Sequence, residues 1–115
     1  MKGTNFVLID GEIKNVIEIK NNGLLCCKVV LSVTNNDDVF FINGFCYGKR
    51  AVYMLKSLPG DYVRFSGFLK QYTENDTEDI EPGTVGIVCR NVFSLNKKPT
   101  TYKQYQTKIQ LSKYE

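Results

Sequence analysis

Histidine is absent from this 115-residue chain. With it go the commonest general base and the usual partner of a serine or cysteine nucleophile. The four cysteines, Cys26, Cys27, Cys46 and Cys89, include no C-x-x-C pair, so nothing reads as a zinc site. No apolar run approaches the length a bilayer needs, and the opening MKGTNFVLIDGEIK meets polar residues too early for a signal peptide. A cytoplasmic protein with buried free thiols and no membrane partner is the expectation. Acidic residues are present, but Asp37-Asp38 and the run Glu74, Asp76, Glu78, Asp79, Glu81 fall in polar segments that read as solvated loops. A metal-dependent nuclease needs carboxylates converging from rigid elements, so neither metal nor cofactor is expected, and no enzymatic activity.

The chain is long enough for one core. Its formal charge of +3 is unevenly placed: Lys97, Lys98, Lys103, Lys108 and Lys113 lie after residue 95 with Glu115, leaving ten basic and eleven acidic residues before it. The division expected is a folded domain over 1–95 and a basic polar tail over 96–115, partly disordered or laid over a binding groove with Tyr102, Tyr105 and Tyr114.

The dominant hydrophobic period is two. Val7, Ile9 and Ile13 share a face around Gly11, and a second apolar piece, Val16 to Ile19, precedes the polar turn at residues 20–23. From Leu24 to Thr34 the residues Cys27, Val29, Leu31 and Val33 alternate with Lys28, Val30 and Ser32. Asn35 to Asp38 reads as a hairpin loop, and Val39 to Tyr47 as a third strand. Ala51, Met54, Leu55 and Leu58 then recur at helical spacing until Pro59-Gly60. Asp61 to Tyr72 returns to period two, with Val63, Phe65 and Leu69 on one side and Tyr62, Arg64, Phe68, Lys70 and Tyr72 on the other. Thr73 to Gly83 is a polar loop, and the last strand, Thr84 to Leu95, changes phase around Cys89-Arg90-Asn91, as a bent strand would. Five strands with one short helix between the third and fourth is the all-β topology of the five-stranded Greek-key barrel, the OB-fold.

Asn5-x-Val7-x-Ile9-x-Gly11-x-Ile13, Phe45-x-Tyr47-Gly48-Lys49-x-Ala51, Leu58-Pro59-Gly60-Asp61-x-Val63-x-Phe65-x-Gly67-x-Leu69 and the ending Val92-Phe93-Ser94-Leu95 stand in this order. Together they resemble the bacterial and phage single-stranded DNA-binding proteins over most of residues 5–95. Glu12 and Val52 depart from that pattern, standing where the family usually has Arg and Glu, and the chain has no Trp, on which the family often stacks bases. It ends Lys113-Tyr114-Glu115, without the linker and acidic apolar tip of cellular members, and so is more like a short phage or plasmid relative, which would act in the host cytoplasm.

The resemblance implies a non-enzymatic protein that coats single-stranded DNA with low sequence specificity during replication, recombination or repair. Its chemistry would be base stacking on aromatic rings plus phosphate neutralisation. The family register turns Phe41, Asn43 and Tyr47 toward nucleic acid, and Phe45 shares their parity. Tyr62, Arg64, Phe68, Lys70 and Tyr72 alternate aromatic with cationic character on the outer side of the fourth strand, and Lys28, Lys49 and Arg50 are candidate phosphate contacts. Family members pair along the first strand, which makes Phe6 and Leu8 the expected interface of a homo-oligomer, dimer or tetramer, with replication or recombination proteins as further partners. An RNA-binding or primosomal OB domain, or an OB adaptor whose aromatic face binds protein, would use the same strands.

Overall fold

A computed structural model describes residues 3–21, 23–77 and 79–95. Five strands, β1 (Val7–Asn21), β2 (Leu24–Asn35), β3 (Asp38–Tyr47), β4 (Tyr62–Gln71) and β5 (Val85–Ser94), close into a barrel in the order β1-β2-β3-β5-β4. Neighbours are antiparallel except β3 and β5, and the helix α1 (Lys49–Leu55) lies between β3 and β4. This is the OB-fold expected from the order of elements. The basic tail falls outside the described residues.

Alternation in β2 is as read: Cys27, Val29, Leu31 and Val33 are buried while Lys28, Val30 and Ser32 are half-exposed. Inside the barrel these meet Ile13, Cys46, Val63, Phe65, Ile87 and Cys89, and Ala51 and Met54 of the helix close one end. Phe65 fits because β3 has a glycine opposite: a Cβ on Gly44 would lie 2.5 Å from the tip of the ring. The four cysteines are free and buried.

Three expectations need correction. The two apolar pieces of the first strand form one continuous strand, because a bulge between Ile13 and Asn15 inverts the parity and lets Ile13 and Val16 both serve the core. Leu58 is not on the helical face: α1 ends at Leu55, and Leu58 is exposed in the turn that Asp61 fastens through the Leu58 N–H (2.9 Å). Leu69 keeps its inward parity but lies past Val7↔Gly67, the last pairing of β4 with β1, and is exposed. The Asn5 side-chain amide pairs with the Leu69 backbone there, donating to the carbonyl (2.9 Å) and accepting from the N–H (2.8 Å) as another strand would. The phase change in β5 is a second bulge, at Arg90, on a strand that stays continuous.

Candidate nucleic-acid interface

On the outer surface the registers line up Ile17, Lys28, Phe45, Val88 and Phe68 in one row across all five strands. Asn43 and Tyr47 flank Phe45 on β3, and Phe41 stands further out beside Ser32. Strand parity is therefore as expected for β3, with Phe41, Asn43, Phe45 and Tyr47 on one side of the sheet. Neither Phe40 nor Phe41 enters the core: they are 44% and 63% exposed, because the β2–β3 hairpin runs beyond the barrel. Phe41 is an open ring. Asn43, Tyr47 and Lys28 are half-buried, and Lys49 and Arg50 are exposed at the start of α1, directly after Tyr47-Gly48.

Phe45 and Tyr72 are different, and the structure withdraws both from the surface. They are 0% and 1% exposed, with ring centroids 4.6 Å apart, in a second apolar cluster with Ile19, Cys26 and Ile80. The segment between β4 and β5 is a strap folded across this part of the sheet. Ile80 plugs into the cluster, the Lys20 N–H donates to the Asp79 carboxylate (2.6 Å), and the Thr77 hydroxyl donates to the Lys20 carbonyl (2.6 Å). Below the strap Phe45 lies against β5 where a Cβ on Gly86 would come within 2.4 Å of the ring. The Tyr47 and Tyr72 hydroxyls share a hydrogen bond of 2.9 Å. Desolvation is the main cause raising both phenols, and it pushes the Cys26 thiol up to about 11, so this layer is uncharged at neutral pH.

Magnitudes decide whether the strap could yield Phe45 to a base. Lifting it would expose Ile80, at about 1.5–3 kcal/mol, would give up the two hydrogen bonds at Lys20, at roughly 0.5–1.5 kcal/mol each, and would uncover Tyr72 as well. One stacked base returns about 1–3 kcal/mol. The strap stays, and Phe45 is a core residue on the outside of the barrel. Sequence reasoning missed this cover, although a signal was there: Ile80 is a lone branched aliphatic in the polar run from Thr73 to Gly83.

The predicted cations also divide. Arg64 is held bidentate by Asp10 (2.8 and 2.9 Å), which raises its pKa, and with Tyr62 it lies toward the far end of β4. That places Arg64 about 13 Å along the strand from Phe68. The structure does not bring Tyr62 and Arg64 to the row that holds Phe68. Lys70 is bound to Asp76 of the strap (3.2 Å) and lies 5.2 Å over the Tyr72 ring. Phe68 is half-buried beneath the Arg90 guanidinium, 5.0 Å from the ring centroid. Among the described residues Lys28, Lys49, Arg50 and Arg90 pair with no carboxylate. Leu8 is exposed on β1 and Phe6 just before it, and Phe93 is exposed across the Asp10–Arg64 pair.

Asp76 gives the strap a pH dependence. The Thr73 N–H (2.7 Å) and then Lys70 hold its carboxyl below the ordinary carboxylate range. A carboxylate depressed in the folded state contributes stability that is present above its unfolded pKa and is lost as pH falls through the folded value. Thermal melts of wild type and Asp76→Asn are therefore expected to differ at neutral pH and to converge on acidification below the carboxylate range. A difference that persisted in acid would remove the ion pair as its cause.

Among the described residues no helix is long and apolar enough to cross a membrane, and no group of three or more His, Cys, Asp or Glu side chains is placed to hold a metal ion. No protein-family model matches the chain, and no curated protein sequence matches it. Solved structures do. PriB from Ralstonia solanacearum superposes with a TM-score of 0.66 at 13% identity, covering 81% of this chain and 99% of that one. The small single-stranded DNA-binding protein from Streptomyces coelicolor gives 0.65 at 14% identity, over 83% of this chain and 96% of that one. The single-stranded DNA binding protein from Thermus aquaticus gives 0.64 at 14% identity over 85% of this chain, which spans 43% of that protein. At such identities the likeness is one of fold.

Proposed function

We propose that this chain binds single-stranded DNA without base-edge readout, coating and protecting it during replication or recombination, and that it is not an enzyme. The observation that carries this reading is the open Phe41 ring on the same side of β3 as Asn43 and Tyr47, with Lys28 beside Phe45 in the next strand and Lys49 and Arg50 just past Tyr47, none of the three paired with a carboxylate among the described residues. Stacked rings and unpaired cations are what a sequence-tolerant single-strand binder needs. Two of the structures sharing the fold carry names that describe them as single-stranded DNA-binding proteins.

In this reading Phe41 and Tyr47 stack bases, Asn43 contacts the strand between them, and Lys28, Lys49 and Arg50 neutralise phosphates. Residues 1–95 form the binding domain, with 96–115 as a basic appendage. Phe6 and Leu8, both exposed, form the apolar surface through which protomers pair.

Titration with oligo-dT at several salt concentrations, followed by tyrosine fluorescence with duplex DNA alongside, tests the reading. Expected are quenching, tight binding to the single strand that weakens as salt rises, and little response to duplex. Phe41→Ala should lose about 1–3 kcal/mol of binding with the melting temperature unchanged, since the ring is exposed. A folded protein that ignores oligo-dT would sink the reading and favour an adaptor that binds protein.

A further inference from the structure

The bulge in β5 aims a cation at the binding surface. Ser66 pairs with Asn91 and Gly67 with Cys89, so Arg90 is the extra residue, without a partner on β4. The bulge rests on Gly67, where a Cβ would lie 1.7 Å from the Val88 carbonyl oxygen: the two backbones are in direct contact. Bulges re-aim side chains, and here the guanidinium comes to rest over Phe68. Because β3 and β5 run parallel from the Phe45–Val88 pair, Arg90 lies beyond Val88 in the direction in which Tyr47 lies beyond Phe45.

We infer that Arg90 is a phosphate-binding residue of the single-strand site, and that Phe68 is its seat rather than a base platform. The inference rests on the function proposed above and adds a contact to it. Arg64 is neutralised by Asp10 and Lys70 by Asp76, which leaves Arg90 as the cation on β4 and β5 with no acid partner among the described residues. A guanidinium resting on a ring keeps the N–H donors at its edge available for a bidentate phosphate, and the ring fixes a side chain that would otherwise lose rotamer freedom on binding. The same arrangement covers the Phe68 face that a base would need.

A double-mutant cycle on oligo-dT affinity and its salt slope tests the assignment. Wild type is expected to bind. Arg90→Gln should weaken binding about tenfold and make the slope of log K against log salt shallower by about 0.7, the contribution of one phosphate on a single strand. Phe68→Leu should weaken binding severalfold, Phe68→Tyr should restore it, and the Arg90→Gln/Phe68→Leu double variant should bind no worse than Arg90→Gln alone. Losses that add in the double variant would make Phe68 an independent platform and overturn its role as a seat. An unchanged salt slope in Arg90→Gln, in a wild type that binds, would overturn the phosphate contact while leaving the proposed function standing. A wild type that does not bind oligo-dT would overturn both.

Discussion

Phe45→Ala is expected to destabilise the protein by about 3–5 kcal/mol, the range for emptying a buried aromatic site. That is a large share of the roughly 5–15 kcal/mol that holds a domain together. The ring is fully buried between Tyr72 and the backbone of Gly86, in a cluster with Ile19, Cys26 and Ile80. The strap rests on this ring, so the cavity cannot collapse without moving Ile80 and the Asp79–Lys20 hydrogen bond with it. Urea denaturation should show a lower midpoint in Phe45→Ala, and hydrogen exchange should rise first in the strap. Phe41→Ala, four residues away on the same side of β3, should leave stability within about 0.5 kcal/mol of wild type. The pair separates two roles that strand parity cannot distinguish. A Phe45→Ala protein as stable as wild type but impaired on oligo-dT would make the ring a platform after all.

The contrast between Phe41 and Phe45 also shows where the sequence stopped being legible. Period two sorts a strand's residues onto two faces, and it did so correctly for β2, which turns Cys27, Val29, Leu31 and Val33 inward, while for β3 the family register supplied the outward face. It cannot say whether the outer face meets water or another piece of chain. Phe45 and Tyr72 were expected at the surface because the barrel wall itself does not cover them. The strap does, and the strap is held by Ile80 and by hydrogen bonds to Lys20, contacts between residues nearly 60 positions apart. Ile80 stands out in its polar run, but no local pattern names the distant residues that such a contact joins. Charge pairing was hidden in the same way: Arg64 reads as a free cation until β1 brings Asp10 alongside. The bulge at Arg90, by contrast, was visible in outline, since a strand that inserts one residue must shift the phase of its apolar pattern. What remained unseen was its consequence, an arginine lodged on the ring of a neighbouring strand.

That bulge depends on one missing side chain, and Gly67→Ala is expected to cost about 3 kcal/mol or more, at or above the usual upper range for overpacking. The requirement is space rather than backbone freedom, since Gly67 is not among the glycines with positive φ. A Cβ there would lie 1.7 Å from the Val88 carbonyl oxygen, 2.8 Å from its carbon and 3.2 Å from the Arg90 nitrogen, all of them backbone atoms that no rotamer change can withdraw. Gly44→Ala is a milder case, because the atoms it meets belong to the Phe65 side chain, which can shift. Gly83→Ala is milder still: nothing lies within 4 Å, and the cost is the strain of a φ of +95°, of order 1 kcal/mol. The order expected from denaturation midpoints is therefore Gly67 worst, then Gly44, then Gly83. If Gly67→Ala were as mild as Gly83→Ala, β4 and β5 would not be pressed together at the bulge. Arg90 would then lack the backbone support that directs it onto Phe68. If the variant instead folds with the expected loss, its oligo-dT affinity should fall with that of Arg90→Gln, because strands forced apart at Gly67 carry Arg90 away from its seat.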